Sequence, residues 1–311
     1  MHDLIVIGGG PAGLAAAVYA LDKQLDVLLI CSNLGGKTGY VQQLHNQEHP
    51  PAILGVEQAS ALRQRIEATP DRLASDVVVG VFSHESAFHI LGEHRTWHAR
   101  AVIIATGAQP TMLGVPNERQ LVGHGIGYSI LTHAQAMKER HVAVVGANAR
   151  ALRGAAELTQ YAERIVLIAP HTGYLNSLLG QRLRTHPKID LFDGYRVRNV
   201  DAVDGQVQSI VVTQRDMVQR IPVSAVFVDM GLIPNTQMVR QTVQVDRDGF
   251  VVIDYRNQTS VPGLFAAGDV TNVPVEQILM AIGEGSRAAM YAYDYILAQR
   301  LEMRASAFIY Q

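Results

Sequence analysis

Four apolar residues, Leu4-Ile5-Val6-Ile7, run into Gly8-Gly9-Gly10-Pro11-Ala12-Gly13; Leu14, Ala17, Val18 and Leu21 then recur at helical spacing before a second apolar run, Val27 to Ile30. A continuous short run predicts a buried strand, a 3.6-residue period predicts a helix, and the order strand, helix, strand predicts a parallel βαβ unit. The pattern returns at Val142 to Val145 and Gly146, with a helix predicted from Ala151 to Tyr161 and a strand from Ile165 to Ile168. Between the two units, Val77 to Phe82, Ala87 to Leu91 and Arg95 to Ala99 read as short antiparallel strands, and Ala101 to Ala105 as a separate buried strand. Further on, Val197 to Val203 and Val207 to Thr213 flank Asp204-Gly205, a hairpin signal. The runs Val226 to Met230 and Leu264 to Ala267 each meet a glycine at the carboxyl end.

The expected fold class is therefore α/β, with two Rossmann-like, three-layer ββα nucleotide-binding domains, the second inserted into the first. Boundaries are expected at 1–114 and 241–311 for the two parts of the first domain and 115–240 for the second. The length of 311 residues suits two cores rather than one. Hydrophobic residues make up 48% and charged residues 17%, enough apolar surface to fold. With 26 basic against 28 acidic residues and no charge block, neither nucleic acid nor an anionic membrane is expected as a partner. Met1-His2-Asp3 leads straight into a strand and glycines interrupt the apolar run, so no signal sequence or membrane span is expected, and a cytoplasmic location is the default. Cys31 is the sole cysteine, which excludes an intrachain disulfide and a thiolate metal cluster; no metal is expected.

In Gly8-x-Gly10-x-x-Gly13 the absent side chains permit a tight turn, close approach of backbone to a pyrophosphate and close helix–strand packing, while the helix N-terminus favours negative charge. Pro11 and Ala12 open the helix, and Pro11 suits its first turn. The acidic residue that commonly holds the adenosine ribose after the second strand is absent, since Ile30 is followed by Cys31 and Ser32. Ribose contact is expected from Ser32, the backbone or elsewhere.

Taken with this loop, Leu34-Gly35-Gly36, Asn46, Ala105-Thr106-Gly107-Ala108, Gly231-x-x-Pro234-Asn235-Thr236 and Phe265-Ala266-Ala267-Gly268-Asp269-Val270 resemble the low-molecular-weight thioredoxin reductases over nearly the whole chain. The resemblance implies an FAD domain made of both chain ends, an inserted pyridine-nucleotide domain and a homodimer. It implies that Asp269, after Gly268, bonds the ribityl chain, that Gln277 faces the pyrimidine edge of the flavin with Glu276 and Ile278 beside it, and that Gly35, Gly36, Asn46 and Ala105 to Gly107 line the FAD. Lys37 stands where that family usually has glutamine, and Glu276 where it often has arginine.

Three places depart from the resemblance. Ser129-Ile130-Leu131-Thr132-His133 takes the place of the family's Cys-x-x-Cys-Asp, and hydroxyls cannot perform thiol–disulfide exchange. Reduction of thioredoxin by that mechanism is thereby excluded. His133 occupies the acidic position, where an imidazole is a candidate proton donor and so the candidate catalytic residue. The second loop reads Gly146-Ala147-Asn148-Ala149-Arg150-Ala151, with Asn148 where backbone should approach phosphate, and Ala169-Pro170-His171 replaces the arginines that would pair a 2′-phosphate.

These departures weigh against NADPH and leave three donors open: NADH, a ferredoxin or other redox protein, or a second FAD in the inserted domain. The expected function is an FAD-dependent oxidoreductase of thioredoxin-reductase type with the flavin as its only redox centre. The alternative is a flavin-binding sensor or interaction protein without turnover. A reductase relying on a partner's thiols is a third reading, in which Cys31 is dispensable. The helix before the carboxyl terminus is expected to end near Gln299, with Met303 to Gln311 as a tail.

Overall fold

A computed structural model describes residues 1–39, 53–84, 87–273 and 276–309. Asn46, one of the expected flavin contacts, lies outside the described residues. The chain forms two units: Met1–Gly39, Leu54–Gln109 and Ile233–Gln311 make one, and Pro110–Leu232 belongs to the other.

In the first unit, β1 (His2–Ile7), α1 (Pro11–Asp22) and β2 (Val27–Ile30) form the βαβ motif, with Leu4 paired to Val27 and Ile7 to Ile30 in parallel register. Then follow α2 (Val56–Glu67), β3 (Leu73–Ala74), β4 (Val78–His84), β5 (Ala87–Gly92) and β6 (Thr96–Ile104). The two strands expected at Arg95–Ala99 and Ala101–Ala105 are one. No turn former separates them, so β6 continues through Arg100, pairing antiparallel with β5 by its first half and parallel with β1 toward its end. β7 (Ala108–Pro110) then leads to the second unit.

That unit contains α3 (Glu118–Leu121), β8 (Ile126–Gly127), α4 (Ile130–His133), β9 (His141–Val145), α5 (Ala149–Leu158), β10 (Arg164–Ala169), α6 (Leu178–Arg184) and β11 (Ile189–Asp193). A three-stranded antiparallel sheet of β12 (Arg196–Val203), β13 (Gln206–Gln214) and β14 (Met217–Pro222) precedes β15 (Ala225–Val228). The β12–β13 turn holds Asp204 at φ 50° and Gly205 at φ 75°, the two positive angles a type I′ hairpin needs. The parallel sheet runs β11-β10-β9-β15-β8.

The chain returns through β16 (Leu232–Pro234), paired with β7, to β17 (Leu264–Ala266) and α7 (Ile278–Ile309). β17 adds beside β6, completing a seven-stranded sheet whose main path is β3-β2-β1-β6-β5-β4. α7 does not stop near Gln299 as expected but runs to Ile309, since no glycine or proline interrupts it after Gly285. No helix among the described residues is long and apolar enough to cross a membrane.

The first unit's core lies between sheet and helices. Ala15, Ala16, Ala17 and Ala20 of α1 and Ala288, Ala289 and Ala292 of α7 are buried, together with Ile296. Small side chains let the two helices approach closely; a Cβ at Gly285 would meet the Ala12 carbonyl oxygen at 2.0 Å. On the sheet's other face Ile5, Ile7, Val102, Ile104, Val251 and Leu264 form a second layer. The strands read as continuous apolar runs because both faces are covered. The second unit repeats this plan, with Val142 and Val144 facing Ala151, Ala155 and Leu158, and Ala143 and Val145 facing Val200, Ile210 and Val212.

Candidate functional site: an open cradle and a closed loop

The two glycine loops are the natural places to look for ligands. In the first, Gly8 has φ 116°, and a Cβ there would meet the Ala105 carbonyl oxygen at 2.2 Å. A Cβ at Gly13 would lie 1.8 Å from the Gly8 carbonyl oxygen, and one at Gly36 (φ 59°) would lie 2.9 Å from the Gly10 Cα. Gly10 is different: a Cβ there would meet nothing within 4 Å. The loop is jammed on every side except the one on which Gly10 opens. Gly10 is also the N-cap of α1, with no side-chain cap and with Pro11 at the first helical turn, so the first-turn amides and helix dipole face that opening. This is the geometry an anionic pyrophosphate requires.

Several of the other expected contacts pack against the loop, and the rest of those described lie in the same unit. The Gly35 amide donates to the Gly9 carbonyl at 2.7 Å, which fixes the segment after β2 against the loop. From that segment Lys37 Nζ reaches Asp269 Oδ2 at 2.6 Å, bridging positions 232 residues apart in sequence. Asp269 follows Gly268 (φ 77°), whose added Cβ would meet Ala12 Cβ at 2.9 Å. Thr106 and Asn235 clasp each other: the Thr106 hydroxyl donates to the Asn235 carbonyl at 2.7 Å, and Asn235 Nδ2 donates to the Thr106 carbonyl at 2.8 Å. The Asn235 amide adds a 3.0 Å bond to the Gly107 carbonyl. Ser32 is exposed just past β2, and Glu276 and Gln277 are half-buried before α7. Ile278, the first residue of α7, would sit 2.9 Å from a Cβ at Gly55. Thus the residues near both chain ends and those after β2 and β6 share one unit.

Cys31 is a packing residue in this unit. It is buried, burial pushes its thiol pKa up, and its sulfur would lie 2.8 Å from a Cβ at Gly9. A protonated thiol is a poor nucleophile.

One residue of the cradle is missed by reading the sequence alone. Glu284 is 5% exposed on α7, and its Oε2 accepts the Gly268 amide at 2.8 Å. Burial raises its pKa, the nearby Arg287 opposes that, and the charge of Asp269 adds to it. The available signal is a single carboxylate between Gly283 and Gly285 in an otherwise apolar helical stretch.

In the second unit a Cβ at Gly146 would meet the Asp229 carbonyl oxygen at 2.1 Å, so the first glycine keeps its packing role. Asn148 is the N-cap of α5, and its Oδ1 accepts the Ala151 amide at 2.8 Å while its Nδ2 donates to the Asp229 carbonyl at 2.9 Å. The N-terminal amide that would meet a phosphate is taken by the protein's own side chain. Arg150 Nε donates to both carboxylate oxygens of Asp229, at 2.8 and 3.0 Å. Asp229 is 4% exposed, and desolvation raises its pKa against the opposing effect of Arg150. After β10, the Tyr174 amide donates to the Ala147 carbonyl at 2.7 Å, so the segment replacing the expected arginines folds onto the loop.

Ser129 Oγ and Thr132 Oγ1, the hydroxyl pair singled out in the sequence, lie 2.7 Å apart, hydrogen-bonded to each other. His133, the candidate proton donor, is buried at 7% exposure against Phe227, with ring centroids 6.5 Å apart and planes 19° apart. Desolvation pushes its pKa down to about 4, so the imidazole is neutral at pH 7.

With this geometry in view, known proteins place the chain. The model of the Pyridine nucleotide-disulphide oxidoreductase family matches residues 2–285. The chain is 30% identical over 312 residues to a thioredoxin reductase of Listeria innocua, covering 98% of both chains. It is 31% identical over 305 residues to an alkyl hydroperoxide reductase protein of Xanthomonas campestris pv. phaseoli, covering 95% of this chain but only 57% of that relative's length. In structure it is similar to the thioredoxin reductase of Streptococcus pyogenes, with a TM-score of 0.86, 28% identity, and coverage of 96% of this chain and 99% of that one.

Proposed function

Because the chain belongs to the pyridine nucleotide-disulphide oxidoreductase family, we propose that it is an FAD-dependent oxidoreductase of thioredoxin-reductase type in which the flavin is the only redox centre. FAD is the cofactor of this family. The first unit suits it: Gly8, Gly10, Pro11, Ala12 and Gly13 would hold the pyrophosphate, and Ser32 the adenosine side. Gly35, Gly36, Lys37, Ala105 to Gly107, Gly268, Asp269 and Glu276 to Ile278 would line the rest. When bound, FAD supplies two-electron chemistry, and the chain supplies position and electrostatics.

The observation that carries the absence of a dithiol relay is the Ser129–Thr132 hydroxyl pair at 2.7 Å, in a chain whose lone thiol is buried in the other unit. Neither hydroxyl takes up or releases electrons, so a reduced cofactor has no relay within the chain. A proton donor at neutral pH works best with a pKa near 7. Burial has moved His133 to about 4, so it has no place in the proposed chemistry. The self-capped α5 and the Arg150–Asp229 pair argue against any nucleotide donor bound at the second loop; of the donors left open, we take a redox protein, ferredoxin-like in chemistry, delivering electrons to the first unit. We place the working protein as a homodimer.

Anaerobic bleaching of the bound flavin tests this. Reduced ferredoxin is expected to bleach it within seconds, and NADPH at millimolar concentration to leave it oxidised over the same period. Rapid bleaching by NADPH would overturn the donor assignment. No bleaching by ferredoxin, NADH or NADPH would favour the second reading, a flavin-binding sensor without turnover, to which the closed second loop also lends support.

A further inference from the structure

The Lys37–Asp269 pair is not explained by stability. Lys37 is 46% exposed and Asp269 17%, and an ion pair so open to water contributes little to folding. Yet its position is tightly built. Lys37 is rooted in a segment pinned to the first glycine loop by the Gly35 amide, by the Thr38 hydroxyl donating to the Gly35 carbonyl at 2.7 Å, and by the close approach of Gly36 to the Gly10 Cα. Asp269 is held from behind: Glu284 accepts the Gly268 amide, and the Thr271 amide and hydroxyl both donate to the Gly268 carbonyl at 2.9 Å. The pair therefore bridges two segments that each pack against the first glycine loop, through Gly36 at Gly10 and through Gly268 at Ala12.

The charge balance there is informative. The charge of Asp269 disfavours ionisation of the buried Glu284, while Arg287, which favours it, is also engaged with Asn257 Oδ1 at 2.6 Å. Lys37 in turn offsets Asp269. Without it, Asp269 would present uncompensated negative charge to whatever binds. A flavin that accepts two electrons gains negative charge that the oxidised ring lacks, and fixed charge nearby tunes that step.

Resting on the FAD assignment above, we propose that Lys37 is a positioning and charge-setting residue: it holds Asp269 in place and raises the reduction potential of the bound flavin. The predicted consequence concerns the ratio of affinities for reduced and oxidised cofactor, not folding. Replacing the ammonium by a neutral group is expected to shift that ratio about tenfold toward the oxidised form, equivalent to about 30 mV for a two-electron couple.

The test uses the FAD-loaded full chain and its Lys37→Gln, Lys37→Met and Lys37→Arg variants, with midpoint potentials measured by equilibration against reference dyes. The two neutral variants should fall by about that amount, and Lys37→Arg should stay within a twofold change, while all four melt together. A neutral variant whose ratio moves less than twofold, or an arginine variant that falls as far as the neutral ones, overturns the proposal. A wild-type protein that takes up no FAD at all would instead overturn the cofactor assignment.

Discussion

At the head of α1 the N-cap is Gly10, which has no side chain and faces open space; at the head of α5 it is Asn148, which bonds the Ala151 amide and the Asp229 carbonyl. Both helices follow an apolar parallel strand, and both loops keep a first glycine packed against backbone: Gly8 on Ala105, Gly146 on Asp229. What differs is how each helix end satisfies its orphan amides. The first leaves them without a side-chain cap, facing open space. The second satisfies one internally and adds a buried ion pair beside it. A loop that had merely decayed would leave donors unmet; this one meets an end amide and pairs a buried carboxylate within the protein.

The largest effect bearing on this contrast is at Gly13. In Gly13→Val the new Cβ meets carbonyl oxygen at 1.8 Å and neither backbone can yield without separating α1 from β1. A loss above about 4 kcal/mol is expected, within the range reserved for core overpacking and strain. It should be visible as an unfolded or flavin-free first unit in thermal melts. Gly10→Ala separates binding from folding: its methyl meets nothing, so the melting temperature should barely move, while FAD affinity falls at least about tenfold because the backbone can no longer approach phosphate. Equal FAD affinity in Gly10→Ala and wild type would show that the opening is not the ligand site.

Next in size is the pair that closes the second loop. Arg150→Met leaves the Asp229 carboxylate buried without its countercharge, and about 3 kcal/mol is expected, the lower end for a broken buried pair because Arg150 is a quarter exposed. Asp229 already has a raised pKa, so its folded state holds the proton more tightly than the unfolded chain. The loss relative to wild type should accordingly be small at acid pH and grow as pH rises through the raised folded value of Asp229. Arg150→Met combined with Asp229→Asn should recover most of it in urea titrations. A single variant as stable as wild type at pH 8 would mean the pair does not close the loop.

The contrast between the loops also marks what sequence can carry. Both βαβ units and the Asp204-Gly205 hairpin follow from short apolar runs and turn residues, because those signals are local; the gathering of both chain ends into one unit comes from the family resemblance instead. The single strand β6 reads as two because its halves obey different pairing rules, antiparallel then parallel, and a run of residues does not announce a change of partner. Asn148 is legible as an obstruction to phosphate, since any side chain there would be one. Its tie to Asp229 is not, since Asp229 lies 81 residues away. The Lys37–Asp269 bridge stays hidden for the same reason, joining positions 232 residues apart, and the Glu284 bond to the Gly268 amide, though only 16 residues away, depends on how α7 packs against the turn after β17.

His133 gives a smaller effect with a definite sign. Its folded pKa of about 4 lies below the ordinary 6.5, so below pH 6.5 the unfolded chain binds a proton that the folded chain refuses. Stability is then complete above about pH 6.5 and is lost as pH falls toward 4, by about 2 kcal/mol between pH 7.5 and 5. His133→Leu should flatten this part of the urea-midpoint profile relative to wild type. If the two profiles run parallel, the imidazole is not held neutral against Phe227.

The smallest expected change in stability says most about why the two helix ends differ. Asn148→Gly removes a cap, yet glycine is itself an acceptable N-cap, so only a few tenths of a kcal/mol should go with the cap and about 1 kcal/mol with the bond to the Asp229 carbonyl. In exchange the α5 amides and dipole become available, as they are at Gly10. Calorimetry with NADH and with ADP, which share a pyrophosphate but not a nicotinamide, should then show tighter binding of both to Asn148→Gly than to wild type, by about tenfold if one charge-assisted bond is regained. A gain for NADH alone would point to contacts with the nicotinamide rather than to the helix end. No gain for either would mean that Arg150 and the Tyr174 segment, not Asn148, keep the second loop shut.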